Sequence, residues 1–328
     1  MRVMVTGATA PLGTALVQAL LGTAGVELVL AVGRECDPTL PSDPRLRYRT
    51  VDLTRRRALH ALVWGEARTL GVEVVVHGIQ HRRVHDQGAP IHAQNVEVTR
   101  ELVLACTAHP TIRRLVYRSF AEIYAVHHGT SSILDEEAPL DFDPRSTQWV
   151  RDRVEADLTV CAHLGGALSI AVLRCAEIFA PDAGSQLWDY LQSRICLRPL
   201  GFDPMVNVLS LDDAVAAFAA ALRGSATGVF NIPGCDTLPL SRAIAESRRA
   251  DVPVPGPLLA PLYGLRHSTT GFEFRYDMNI QRFHFIGVLD GARARAALGY
   301  VPRTHVAWPR PWWRLLVEQL GAEQAIPR

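Results

Sequence analysis

The sequence predicts an α/β chain: a doubly wound parallel sheet followed by a smaller C-terminal domain. Three observations carry this. Short apolar runs alternate with helix-period patterns through the first two-thirds of the chain, the layout of a parallel sheet covered by helices on both faces. The first run, Val3-Met4-Val5, enters a Gly-rich turn, Thr6-Gly7-Ala8-Thr9-Ala10-Pro11-Leu12-Gly13, from which Leu12, Leu16, Ala19 and Leu20 recur at helical spacing. From about Val252 the pattern changes to a Pro-rich and then aromatic stretch, Pro253, Pro255, Pro257 and Pro261 leading to Phe272, Phe274, Tyr276, Phe283 and Phe285.

Strand, Gly-rich turn and helix form a Rossmann-type unit, in which the backbone closes on a pyrophosphate at a helix N-terminus. Ala10 stands where the middle glycine belongs, and adds a methyl where the backbone should approach the phosphates. The second strand, Glu27 to Val32, ends at Gly33-Arg34. An acidic side chain at such a strand end would hold the ribose 2′-hydroxyl of NAD, whereas Arg34 suits the 2′-phosphate of NADP, or is an ordinary surface arginine in an Arg-rich chain. Further strands are expected at Arg47–Val51, Val72–Val76 and Leu115–Phe120, with a helix from about Gln94 to Ala108.

The totals bound the function. At 328 residues, 48% hydrophobic and 20% charged, the chain is long enough for a well-buried core. A net charge of +1 gives no reason to expect nucleic acid or an anionic membrane. No run reaches the roughly 18 apolar residues of a spanning helix, and the chain enters a strand at once, without the basic region and apolar core of a signal peptide. Six cysteines (36, 106, 161, 175, 196 and 235) without a Cys-x-x-Cys read as reduced thiols in a cytoplasmic protein. All 34 basic residues are arginine. The absence of lysine excludes a Schiff base, a Walker-type phosphate lysine and any lysine-assisted acid–base pair.

Markers spread along the chain resemble those of the extended short-chain dehydrogenase/reductases, the NAD-dependent epimerase/dehydratase family. They run in order: the Thr6–Gly13 turn, Asp52-Leu53 after the third strand, Asn95-Val96 opening the long helix, and Val116-Tyr117-Arg118-Ser119-Phe120-Ala121-Glu122-Ile123-Tyr124-Ala125. Then come Leu173-Arg174, Phe179-Ala180-Pro181, Leu211-Asp212-Asp213-Ala214, Val229-Phe230-Asn231-Ile232, and a closing Asp290, Ala294, Leu298, Gly299, Tyr300, Pro302. The resemblance implies a Rossmann domain over about 1–170 plus 206–235, with a small substrate-type lid domain from about 171–205 and 236–328. It implies a dinucleotide held by Thr6, Gly7, Ala10, Pro11, Leu12, Gly13, Arg34, Asp52, Leu53 and Arg153, with NADP favoured over NAD. It also implies a dimer through the helix that carries Val150, Val154 and Leu158.

The family's chemistry needs a Ser or Thr at the end of the fifth strand and a Tyr-x-x-x-Lys pair on the next helix. The phenol exchanges a proton with substrate, the lysine lowers its pKa, and the hydroxyl orients the reacting oxygen. The register of this chain puts Phe120, Trp149 and Arg153 at those positions, with Asp157 four residues further on. An indole N–H does not titrate and a guanidinium does not release its proton at neutral pH. Ile79-Gln80 also replaces a small Ala-Ala on the nicotinamide side. The expectation is a catalytically degenerate member acting as a cofactor sensor, scaffold or partner-binding protein. One alternative is an enzyme with relocated acid–base groups, Glu122 and Tyr124 (or Tyr117), acting on a nucleotide sugar or other hydroxyl or carbonyl substrate. Another is an interaction module in which Ala10 and Ile79 fill the dinucleotide site.

Other clusters read as structural. His77 closes the fourth strand, and His77, His81, His85 and His92 are expected to face solvent, with no metal site. Asp212-Asp213 are expected to cap an Ala-rich helix, and Asp135-Glu136-Glu137 to form a solvated loop. The closing Trp308-Pro309-Arg310-Pro311-Trp312-Trp313-Arg314 leads into a short helix, Leu315 to Leu320. That helix is expected to cover the core, with a membrane surface or a protein partner as the alternative.

Overall fold

A computed structural model describes residues 1–36 and 38–309. Its centre is a seven-stranded sheet: β1 (Arg2–Thr6), β2 (Leu28–Gly33), β3 (Leu46–Thr50), β4 (Val74–His77), β5 (Arg114–Phe120), β6 (Ser169–Cys175) and β7 (Gly228–Ile232). Every neighbouring pair is parallel, in the order β7-β6-β5-β4-β1-β2-β3. The strand order therefore reverses beside β1, where β1 pairs with β2 on one side and with β4 on the other. A crevice opens beyond the carboxyl ends of the strands at such a reversal, and ligands bind there.

Alternation along β1 decides which face each side chain covers. Val3 and Val5 pack with Leu16, Leu20 and the buried face of the helix Leu211–Arg223, including Phe218. Met4 points the other way, into a second core with Leu30, Val75, Leu102 and Leu115. The long helix on that side spans 89–107, its middle turn over Ala93–Glu97 widened to i→i+5 hydrogen bonding.

The smaller part has its own aromatic core, in which Tyr190, Tyr263, Phe274, Tyr276 and Phe283 gather around the helices Gly256–Thr270 and Tyr276–His284. A three-stranded sheet (Glu177–Ile178, Met205–Leu209 and Asp236–Pro239) and the parallel pair Ile195–Pro199 with Ala250–Val254 complete it. The expected boundary at 170/171 falls inside β6, and Met205–Leu209 belongs to the small sheet. The chain crosses between the two parts at strand ends.

Several local expectations change. Ser210 caps the Ala-rich helix, its Oγ accepting from Asp213 N at 3.1 Å. The Asp213 carboxylate instead accepts from the backbone N–H groups of Arg303 and Thr304. Glu136 is buried: its carboxylate accepts from Asn231 N at 2.8 Å and pairs with Arg293 at 3.4 Å. Val150 and Val154 are buried inside the chain beside Val84, Ile123 and Trp149, and only Leu158 of that trio is exposed. Trp308 packs on Phe179, with ring centroids 5.0 Å apart. The stretch from Arg310 to Leu320 lies outside the described residues. No helix among the described residues is long and apolar enough to cross a membrane.

Candidate dinucleotide cleft

The helix after β1, α1 (Pro11–Leu21), starts at the switch point. Gly7 takes a left-handed φ of +71°, which turns the chain out of β1. Gly13 is required by packing, because a Cβ there would lie 2.1 Å from the Gly7 carbonyl oxygen. Ala10, at the position of the missing glycine, has ordinary extended backbone (φ −74°, ψ 157°) and serves as the N-cap. Pro11 follows at the first helical position, and no side chain caps the helix. The free N–H groups of the first turn therefore face the cleft, as anion binding at a helix N-terminus needs.

That cleft, about 910 Å³ including space open to solvent, is walled by Gly7, Ala10, Pro11, Leu12, Arg34, Leu53, Ile79 and Arg153 among others. Ala10 and Ile79 line it without closing it. Three residues expected to bind cofactor sit elsewhere. Thr6 is buried with its Oγ1 2.8 Å from His77 Nδ1. Gly13 is packed under the turn. Asp52 holds Arg34, with Nη2 donating to Oδ1 at 2.7 Å.

At the outer end, Arg34 Nη1 also donates to Gln94 Oε1 at 3.1 Å. Glu35, two residues past the end of β2, accepts from Thr9 Oγ1 at 2.5 Å. Gly33 sits close under two side chains: a Cβ there would come within 2.7 Å of both Thr9 Cγ2 and Tyr48 Oη, which would have to shift to admit a larger residue. Two segments of the cleft wall are joined by Arg82 Nη1 donating to the Asp182 carbonyl at 2.9 Å.

The inner end contains Phe120, Trp149 and Arg153. Trp149 and Arg153 are one turn apart on the helix Gln148–Cys161. The Arg153 guanidinium lies 3.8 Å from the Trp149 ring centroid and 3.9 Å from that of Phe120. Its Nε donates to Gln80 Oε1 at 3.0 Å, and its Nη1 stands 3.3 Å from Glu122 Oε2. Burial lowers the Arg153 pKa to about 10, with Glu122 opposing the shift. Arg153 remains a cation at neutral pH.

The other candidate proton carriers are held away from the cleft. The Tyr124 hydroxyl donates to Asn231 Oδ1 at 2.7 Å and accepts from Arg174 Nη1 at 3.0 Å, and burial pushes its pKa up to about 12. Tyr117 is fully buried and also shifted upward by burial. Glu122 is buried between Arg153 and Arg282 and lies outside the cleft wall. Asp157, wholly buried, accepts from Ser119 Oγ at 2.5 Å and from Arg174 Nε and Nη2 at 3.1 and 2.7 Å. It fixes the helix of Trp149 and Arg153 to β5 and β6.

The histidines scatter. His77 ends β4 as expected but does not face solvent: it is fully buried between Thr6 and Thr99, and burial lowers its pKa to about 4. His81 pairs with Asp86, His85 stacks on His267 at 3.5 Å, and His92 pairs with Asp152. Among the described residues, no group of His, Cys, Asp or Glu could hold a metal. The sequence reading missed Thr9, Glu35, Arg82 and Arg118, all in the cleft wall. Arg118 had a visible signal, as a charged residue in the middle of a strand that is buried throughout.

Known proteins fit this geometry. The sequence signature of the NAD dependent epimerase/dehydratase family matches residues 3–232. The chain is 31% identical over 323 residues to the 3-diazoavenalumate denitrifying reductase of a Streptomyces species, covering 94% of this chain and 98% of that one. It is 28% identical over 310 residues to an uncharacterised protein of Mycobacterium tuberculosis (strain ATCC 25618 / H37Rv), covering 92% and 80%. The dTDP-glucose 4,6-dehydratase DesIV from Streptomyces venezuelae, solved with NAD and TYD bound, superposes with a TM-score of 0.70 at 19% identity, covering 93% of each chain. The chain belongs to the NAD dependent epimerase/dehydratase family.

Proposed function

We propose that this family member binds a nicotinamide dinucleotide, preferentially NADP, and has lost the proton relay that epimerases and dehydratases need. The observation that carries the reading is the Arg153 guanidinium between the Trp149 and Phe120 rings, at the three positions where the family keeps its lysine, tyrosine and serine or threonine. None of the three can give up or take a proton at neutral pH. Gly7, the uncapped start of α1 and the open cleft fit a pyrophosphate. Arg34 at the end of β2, beside a glycine rather than an acidic residue, fits a 2′-phosphate.

On this reading the protein is silent toward nucleotide sugars and acts as a cofactor-bound sensor, scaffold or binding partner. The test is titration calorimetry with NADP and NAD, beside an assay of nicotinamide-dependent turnover of UDP-glucuronate, UDP-glucose and dTDP-glucose. Micromolar NADP binding without turnover is expected. Steady turnover would overturn the loss of the relay, and no binding of either dinucleotide would overturn the cofactor assignment.

A second reading is favoured by the relative at 31% identity, which is named as a reductase of a diazo compound. A reduced nicotinamide supplies hydride when bound. A substrate that exchanges a leaving group such as dinitrogen for hydride draws no proton from the protein, so the missing relay is no obstacle. Consumption of NADPH with nitrogen release from an arenediazonium carboxylate would support this reading over the silent one.

A further inference from the structure

The inner end of the cleft holds more unmatched donors than acceptors, Glu122 Oε2 being the one unmatched carboxylate oxygen beside them among the described residues. Arg118 Nε, Trp149 Nε1 and Arg153 Nη1 make no hydrogen bond with any described residue. Their residues are 9%, 6% and 3% exposed, and all three line the same cleft. Arg118 is tethered only loosely, Nη2 reaching the Ala183 carbonyl at 3.5 Å. Arg153 Nη1 lies 3.3 Å from Glu122 Oε2 without directed hydrogen-bond geometry. Both guanidiniums crowd one ring, 4.7 Å (Arg118) and 3.9 Å (Arg153) from the Phe120 centroid.

Buried N–H donors left unmatched are destabilising, and more so when charged. A cluster of them from two separate elements, β5 and the helix Gln148–Cys161, is an arrangement that a ligand completes. The charge is also uneven. Among the described residues the carboxylates paired with Arg153 and Arg282 are Glu122 and Glu177, and burial holds Glu177 toward its neutral form. Burial draws the Arg118 pKa down as well, as expected of a cation short of counter-charge.

We propose that the inner end of the cleft binds the carboxylate of a flat, unsaturated organic acid, held by Arg118, Arg153 and the indole N–H of Trp149. A planar two-oxygen anion matches guanidinium donors. The walls beside them, Phe120, Trp149, Ile79 and Val98, are apolar and suit a flat hydrocarbon body. The ligand is distinct from the dinucleotide's own phosphates, which belong with the Gly7–Gly13 turn and Arg34 at the other end. That distinction rests on the cofactor reading above, and the two are tested separately.

The experiment titrates the full chain, with and without saturating NADP, using trans-cinnamate, cinnamamide and inorganic phosphate. It is read by calorimetry and tryptophan fluorescence. Cinnamate is expected to bind at least about tenfold more tightly than cinnamamide, the scale of a lost charge-assisted hydrogen bond, and phosphate more weakly than cinnamate. Trp149→Phe keeps the ring and removes one N–H, and is expected to weaken cinnamate several-fold. Arg118→Gln is expected to weaken it about tenfold or more at unchanged NADP affinity, with melting curves checking that each variant is folded. Equal affinity for cinnamate and cinnamamide, no cinnamate binding, tighter phosphate binding, displacement of NADP by cinnamate, or folded variants with unchanged affinity would each overturn the proposal. Cinnamate binding by a protein that binds no NADP would leave the anion site standing and remove the cofactor reading alone.

Discussion

The Arg153 guanidinium stacks 3.8 Å above the ring of Trp149, the residue one helical turn before it. A tyrosine and lysine at this spacing form a titrating pair. A tryptophan and arginine form a stacked, permanently charged one, held by cation–π attraction and by Glu122. On the proposed reading these are the family's two catalytic positions, and the chemistry they can perform is different.

Removing one member of that buried cluster leaves the other charge without its partner. Glu122→Gln and Arg153→Met are each expected to cost about 3–5 kcal/mol in urea unfolding. The double variant is expected to lose clearly less than the sum, because it no longer contains an uncompensated charge. Additive losses would mean that the 3.3 Å pair does not couple.

Arg34 is the point at which cofactor choice is exposed to mutation. Arg34→Ala is expected to weaken NADP by about tenfold, in line with a charge-assisted hydrogen bond at a half-exposed site, while NAD changes little. Calorimetric titration of both dinucleotides checks this. An equal loss for both would place Arg34 outside the 2′-phosphate contact.

One buried and one half-buried group give stability opposite pH slopes. His77 titrates near 4 folded against 6.5 in the free side chain. Its contribution is present above pH 6.5 and is lost as pH falls toward 4, by up to about 3 kcal/mol. Asp189 is raised from 3.8 to about 7 by burial and by Glu177. Its contribution is full below pH 3.8 and is lost as pH rises through 7. The slopes partly cancel in the native chain. His77→Gln is expected to remove the acid-side loss and Asp189→Asn the neutral-side loss, each read as a difference of melting temperature against pH.

The cysteines separate by burial. Cys36 is exposed, whereas Cys106, Cys175 and Cys196 are buried, with pKa values pushed up to about 12 by desolvation. A thiol reagent at pH 8 is expected to label Cys36 within minutes and the buried three only on unfolding. Mass mapping of the labelled sites checks it, and prompt labelling of Cys106 would contradict the packing of the long helix.

Much of the cleft was legible because its rules are local. The Thr6–Gly13 turn needs particular backbone at Gly7 and a missing side chain at Gly13, so composition alone marks it. The Trp149–Arg153 pair follows from the register that the family resemblance implies for that helix. His77 and Glu136 were misread because burial depends on the strand register and on a loop returning to β7, which no nearby residue encodes.

By itself the sequence determined a parallel α/β sheet with a phosphate-type turn, and the absence of lysine and of a titrating Tyr–Lys pair. Period, turn chemistry and residue identity act over a few positions, and these features depend on nothing else. Only the tertiary structure decided that Arg118 from β5 and Arg153 from a helix 35 positions later meet around Phe120 with donors unmatched. It also decided that Tyr124 is turned away to Asn231 and Arg174. Those outcomes depend on which strands become neighbours and on what their packing removes from water, which is fixed by the whole sheet.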